Sequence, residues 1–476
     1  GTMPSERYAP GEEIRLHAVA IARHYGLYDD ALFHTRATRL EWDEHSDEWV
    51  VETDRGDRFR ARFVVTSSGT LTQPKLPGIP GIESFRGHTF HTSRWDYGYT
   101  GGSADGNLSG LADKRVAVVG TGATGLQIIP HLGEDAKQLV VFQRTPSTVD
   151  VRNNRPTDPA WVASLRPGWQ RERMENFLAV LAGEEVATSL VDDGWTATTT
   201  LQRQILTGAV DSSLDPAERE MRDELADLAT MNRLRARVDE AVEDSATAEA
   251  LKPWYRYMCK RPGFSDTYLP TFNRPHVTLV DTADAGGITR MTETSVIVGD
   301  TAYDVDCVIF ATGFEVGISG VMSGTLPVVG RDGRTLLEAW ARGPRTLHGF
   351  SSHGFPNLFH LSAIQNANSV NFAHILLEQA EHIAAMIARG REVGARYLEP
   401  SEEAEDEWVR TVHESAADNR RFQAECTPGY YNGEGSRSIA GASYSPGPVA
   451  FHRLLRTWRD DGMNDVLVGA EAGVSR

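Results

Sequence analysis

Gly120, Gly122 and Gly125 are spaced as Gly-x-Gly-x-x-Gly, with Thr121, Ala123 and Thr124 between them and the apolar run Val116-Ala117-Val118-Val119 before them. A strand that turns into a helix through such a sequence offers unpaired N–H groups and the positive end of a helix dipole. Those groups suit a pyrophosphate, so residues 115–143 are expected to form a βαβ unit that holds a dinucleotide. The glycines would supply the tight turn, the close approach of backbone to phosphate, and close packing of helix on strand. A Gly-rich turn alone is a weak sign; an apolar strand on one side and a helical pattern over 123–133 on the other make it a strong one.

The end of the second strand decides which dinucleotide. A site for NADH places Asp or Glu there to accept from the ribose 2′-hydroxyl. This chain has Gln143-Arg144-Thr145. An acidic side chain would repel a 2′-phosphate, whereas Arg144 can pair with it through a charge-assisted fork. NADPH is therefore expected over NADH.

The elements that must carry this site fit within 476 residues, enough for two or three domains. A net charge of −18 argues against nucleic acid as a partner, because a phosphate backbone would be repelled. No apolar run is long enough to span a bilayer and no signal peptide is visible, so a cytoplasmic protein without a membrane partner is expected. Cys259, Cys307 and Cys426 are too few and too scattered for a disulfide framework or a zinc site, and Cys307 lies in an apolar strand. His88, His353, His360 and His374 show no ligand spacing, so no metal site is expected.

The patterning predicts an amphipathic helix over 11–27. Strands over 35–42 and 48–53 follow, then a hairpin turn at 54–57 and a short apolar strand over 63–69. Pro74, Pro77, Gly78, Pro80 and Gly81 make a stiff connection, and five glycines mark 97–110 as a loop. Residues 159–250 read as helices inserted in the dinucleotide unit. Strands return at 277–280 and 305–313, a further amphipathic helix covers 378–388, and 426–450 reads as an ordered loop or lid.

Phe85, Gly87, His91, Trp95 and Asp96 fall in the pattern Phe-x-Gly-x-x-x-His-x-x-x-Trp-Asp. The pattern resembles the fingerprint of Baeyer–Villiger monooxygenases, flavoenzymes that insert oxygen beside a ketone carbonyl. The resemblance implies an α/β fold with two dinucleotide-binding, Rossmann-like domains for FAD and NADPH and a helical insertion at about 155–255. It divides the chain into 1–110, the remainder of an FAD domain with a β-meander; 111–304, the NADPH domain; and 305–476, a return to the FAD domain with a lid-like tail. In that family a Lys-Arg pair follows the insertion; carried over, Lys260 helps hold the 2′-phosphate and Arg261 stabilises the anionic flavin peroxide. Thr312 and Gly313 match the family's Ala-Thr-Gly turn between the two domains, and 354–359 matches the stretch before the last FAD-domain helix. Residues 426–432 and 444–458 resemble the branch acting on large cyclic or aryl ketones.

One departure stands out. Family members begin with a Gly-x-Gly-x-x-Gly unit for FAD, and none lies upstream of Phe85 in this sequence. Residues 1–9 resemble the interior of a family sequence, so a fragment of a longer parent is expected in preference to a cloning remnant ahead of Met3. The resemblance implies an enzyme that takes NADPH, FAD, O2 and a small-molecule ketone and makes an ester or lactone through a C4a-peroxyflavin, with activity of the shortened chain in question. The alternatives are an N- or S-oxygenating flavin monooxygenase and a non-catalytic NADPH-binding fragment. His91 and Trp95 have a competing role in packing a domain linker, and Arg261 one in an ordinary ion pair. Nothing in the sequence sets an oligomeric state.

Overall fold

The structure is a computed structural model that describes residues 2–69, 71–197, 215–315, 326–367, 369–415, 420–426, 429 and 443–469. At its centre lies a five-stranded parallel sheet in the order Val277–Asp281, Gln138–Gln143, Arg115–Val119, Cys307–Phe310, His88–His91. Successive side chains of a strand point to opposite faces. Val116, Val118, Leu139, Val141 and Ile309 therefore enter one core with Leu126, Ile129 and Leu132 of the Ala123–Asp135 helix. Ala117, Val140, Phe142, Val308 and Phe310 enter a second core with Val296 and Met291 of a small antiparallel sheet. Because both faces are covered, the strands read as nearly continuous apolar runs.

The sheet takes its strands from all three of the stretches into which the resemblance divides the chain. Arg115 fixes one of these junctions: its guanidinium grips the Asp306 carboxylate at 2.8 and 3.2 Å. This fork is the main reason that the Asp306 carboxyl is held below its ordinary value.

The expected meander forms as Ala37–Asp43, Glu48–Thr53 and Arg58–Ala61, with Gly56 in the left-handed region (φ 82°) at the turn. Val328–Val329 joins its edge in parallel. Trp49 is fully buried beneath it and donates its indole N–H to the Pro356 carbonyl at 2.7 Å, so this sheet is tied to the chain's second half. Val64–Thr66 pairs in parallel with Leu358–His360, just before the long Phe372–Glu392 helix. That helix packs with Glu402–Ser415 and Pro448–Asp460 around Phe350, Trp408, Val412 and Phe451.

Three features differ from the sequence reading. The Gly11–His24 helix forms, but none of its residues is buried, and Ile14, Leu16 and Ile21 face solvent. None of its residues joins an apolar core among the described residues. Residues 97–110 begin with a helical turn, Tyr97–Thr100, because Asp96 caps it by accepting from the Tyr99 N–H at 3.1 Å. Third, Cys259 and Cys426, 167 residues apart in sequence, are joined in a disulfide, while Cys307 is free and buried. Sequence spacing says nothing about a pair that only tertiary folding brings within a Cα–Cα distance of 5.1 Å. Most of 426–450 lies outside the described residues. Among the described residues, no helix is long and apolar enough to cross a membrane.

Several histidines are buried in the chain's second half. Burial drives the His348 imidazole down to about 3, and His360 and His452 down to about 4, from an ordinary value of 6.5. The unfolded chain therefore takes up protons before the folded one does, so stability is full above pH 6.5 and declines as pH falls toward 4. The melting temperature is expected to drop steadily from pH 7 to pH 5. A melting temperature that stays level over that range would mean that the imidazoles protonate in place.

Candidate functional site

The carboxyl end of the Arg115–Val119 strand runs straight into the glycine turn, and each glycine meets a different demand. Gly120 has φ 108°, and a Cβ there would lie 2.6 Å from the Ala311 carbonyl oxygen. A Cβ on Gly125 would lie 2.6 Å from the Gly120 oxygen, the close packing of helix on strand. Gly122 differs: a Cβ there would meet nothing within 4 Å. Its open side is where a bound group can approach the backbone. Gly122 is also the N-cap of the Ala123–Asp135 helix, with no side chain satisfying the first turn. This cradle fits a pyrophosphate.

Thr121 is buried and donates to the Thr145 carbonyl at 3.3 Å, and Ser147 donates back to the Thr121 carbonyl at 2.7 Å. These bonds fasten the glycine turn to the segment carrying Arg144, whose side chain is exposed. Buried Gln143 donates to the Ala250 carbonyl at 2.7 Å, a structural duty that leaves Arg144 as the group facing outward.

Lys260 and Arg261 reach the same end of the sheet by a second route. Tyr255 donates its hydroxyl to the Pro146 carbonyl at 2.8 Å, and the Lys260 ammonium lies 5.9 Å from the Tyr255 ring centre. Burial pushes the Tyr255 phenol far above its ordinary range, so the ring remains a neutral platform. Two residues past Arg261, Gly263–Phe264 pairs with Val149–Asp150. Arg261 itself is exposed, with its guanidinium 5.3 Å from the Trp195 ring centre, and Trp195 in turn meets Phe264 edge-on. A cation over an aromatic face keeps a preferred direction at little desolvation cost.

The fingerprint divides between site and scaffold. His91 ends the edge strand beside Phe310 and stands 5.6 Å from the Phe314 ring, next to Thr312 and Gly313. Its Nδ1 accepts from the Ser93 N–H, its Nε2 is buried without a hydrogen-bond partner, and burial lowers its pKa. Thr312 donates to the Lys75 carbonyl, and Lys75 N–H donates to Gly313 at 2.9 Å. A Cβ on Gly87 would strike the Phe85 ring at 2.5 Å and the Asp306 carbonyl at 2.6 Å. Trp95 packs on Phe90 and donates to Thr100, while Asp96 pairs with His88 at 2.9 Å. Phe85, Gly87, Trp95 and Asp96 thus shape the edge of the sheet, and His91 alone of the five lies against the Thr312–Gly313 turn. His88 and Tyr99, which stack at 3.9 Å, complete this packing and were not singled out by the pattern.

One cluster escaped the sequence altogether. His374 and Glu378, four apart on one helix, meet His452 from another, with ligand-type atoms within 4.8 Å of one another. Arg171 lies 3.5 Å from the Glu378 carboxylate and already supplies positive charge there. His374 chiefly, with His452 and Arg171 adding, holds the Glu378 carboxyl down to about 2. The arrangement works as a charge-compensated carboxylate between helices.

Residues 8–193 match the family model described as flavin-binding monooxygenase-like. A Baeyer–Villiger monooxygenase of Streptomyces coelicolor is 58% identical over 469 residues, 98% of this chain and 77% of that protein. Among solved structures, the polycyclic ketone monooxygenase of the thermophilic fungus Thermothelomyces thermophila superposes with a TM-score of 0.91 at 37% identity, covering 98% of this chain and 78% of that one. An oxidized steroid monooxygenase bound to NADP gives 0.78 at 29% identity, covering 98% and 87%.

The glycines offer a direct test of the cradle. Gly122→Ala is expected to keep the melting temperature of the parent while weakening NADPH binding, because its methyl enters the open side. Gly125→Ala is expected to lower both, because it drives into the Gly120 carbonyl. Equal losses of stability in the two variants, measured by thermal unfolding beside NADPH titration, would remove the distinction.

Proposed function

The chain belongs to the Baeyer–Villiger monooxygenases, and we propose that it uses NADPH and FAD to place one atom of O2 beside the carbonyl of a ketone, giving an ester or lactone. This reading is supported chiefly by the glycine cradle at the carboxyl end of a parallel strand, flanked by the segment of Arg144 and by the His91–Phe314 contact, with Lys260 and Arg261 on the loop tied to Pro146. Such strand ends are where doubly wound sheets bind ligands.

The nicotinamide dinucleotide fits the residues present. Gly120, Gly122 and Gly125 would hold its pyrophosphate, and Arg144 with Lys260 would face its 2′-phosphate. The sequence has one Gly-x-Gly-x-x-Gly, the one already assigned, so no second cradle is identified for the flavin. When bound, the flavin supplies hydride acceptance and oxygen activation. The chain's own work is to bind, orient and stabilise charge. Arg261 would direct its guanidinium toward negative charge that develops on the reacting oxygen, a preorganised electrostatic role. Residues 111–304 act in this reading as the NADPH-binding domain. The similarity to enzymes named for polycyclic ketones and steroids supports a fused-ring ketone as substrate.

Product analysis with a fused-ring ketone, NADPH, FAD and O2 tests the activity; an N- or S-oxide from a competing amine or sulfide with no ester would overturn it. Arg144→Ala is expected to weaken NADPH about tenfold more than NADH, since one charge-assisted contact is lost. Equal losses for both would defeat the 2′-phosphate assignment. Arg261→Ala is expected to abolish ester formation while NADPH binding stays near that of the parent, and retained ester formation would remove its catalytic role.

A further inference from the structure

The loop that carries Lys260 and Arg261 has no regular secondary structure between Leu251 and Gly263, so something other than a backbone ladder must hold it. Met258 sits at φ 67°, in the left-handed region that non-glycine residues seldom adopt. The Tyr257 N–H donates to the buried Asp227 carboxylate at 2.8 Å, and Tyr255 hangs from Pro146. A further anchor is covalent. Cys259, directly before Lys260, is bonded to Cys426, and both are buried among Met231, Leu234, Tyr255, Tyr257 and Met258. Arg256 reinforces the junction, pairing with Glu425 at 3.0 Å and lying over the Phe422 ring.

We propose that the Cys259–Cys426 disulfide is a positioning clamp for the Lys260–Arg261 cation pair, so that the thiol–disulfide state of the chain sets its preference for NADPH. The inference rests on the assignment of Lys260 to the 2′-phosphate. With the bond formed, the backbone at Cys259 is fixed and Lys260 stays over Tyr255. A dithiol breaks the bond by a two-electron exchange: the protein gains two thiols, and the reductant closes into its own disulfide. Cys259 is then tethered only by non-covalent contacts, and Lys260 loses its fixed place.

General loosening would weaken NADPH and NADH alike, whereas displacement of Lys260 weakens NADPH selectively. The ratio of the two dissociation constants therefore separates a positioning role from a merely structural one. For the purified chain, unfolded without reductant, one thiol is expected to react, that of Cys307. After dithiothreitol, three should react. Reduction is expected to lower the NADPH-over-NADH preference about tenfold, the scale of one charge-assisted contact, and reoxidation to restore it. Cys426→Ser should show the lowered preference from the start and not respond to dithiothreitol. Three reactive thiols before reduction would overturn the proposal, as would a preference unchanged by reduction or by Cys426→Ser. If the oxidised chain has a single reactive thiol but no NADPH preference, the 2′-phosphate reading fails and takes the clamp with it; the thiol count tells that failure from absence of the bond.

Discussion

Everything at the site depends on the Cys307–Phe310 strand lying between two others. Its register pairs Phe310 with Val119 on one side and with His91 on the other. Three segments thereby meet on one line: the glycine turn, the Ala311–Gly313 turn and the fingerprint's His91. The closeness of that line explains Gly120, whose missing side chain leaves room for the Ala311 carbonyl. It also explains why Arg115 and Asp306 are locked together at the opposite end of the same strand pair, where their fork resists any slip in register.

The positive groups reach this line by separate paths, which makes the electrostatics local. The chain is strongly acidic as a whole, yet Arg144 directly follows the Gln138–Gln143 strand, and Lys260 and Arg261 lie on the loop that Tyr255 ties to Pro146. A dense like-charged cluster would repel itself if left in water, and aromatic faces ease that problem. Lys260 over Tyr255 and Arg261 over Trp195 sit against neutral, polarisable rings that help to hold each cation in place.

Much of this could be read from the sequence because the relevant signals are short in range. The glycine turn, its strand and helix, Arg144 in place of an acid and the 54–57 hairpin each depend on a few neighbouring residues. The fingerprint was visible as a pattern, but its division of labour was not: beside their local contacts with Phe85 and Tyr99, Gly87 and Asp96 also answer to Asp306 and His88, which no local rule relates to them. The disulfide and the His374–Glu378–His452 cluster were illegible for the same reason, since each is a contact between elements that only the completed fold brings together. The first helix shows the opposite failure, in which a correct local pattern carries no information about what its apolar side will meet.

That first helix has a consequence for the chain as a colloid. Ile14, Leu16 and Ile21 continue into exposed Tyr25, Leu27, Tyr28, Leu32 and Phe33, a sticky strip on an otherwise strongly anionic particle. Long-range repulsion between copies is then what keeps such strips apart, and its reach shrinks from about 30 Å in 0.01 M salt to about 8 Å at physiological ionic strength. Salt, usually added to protect a protein on storage, is here expected to lower the barrier that holds these oily edges apart.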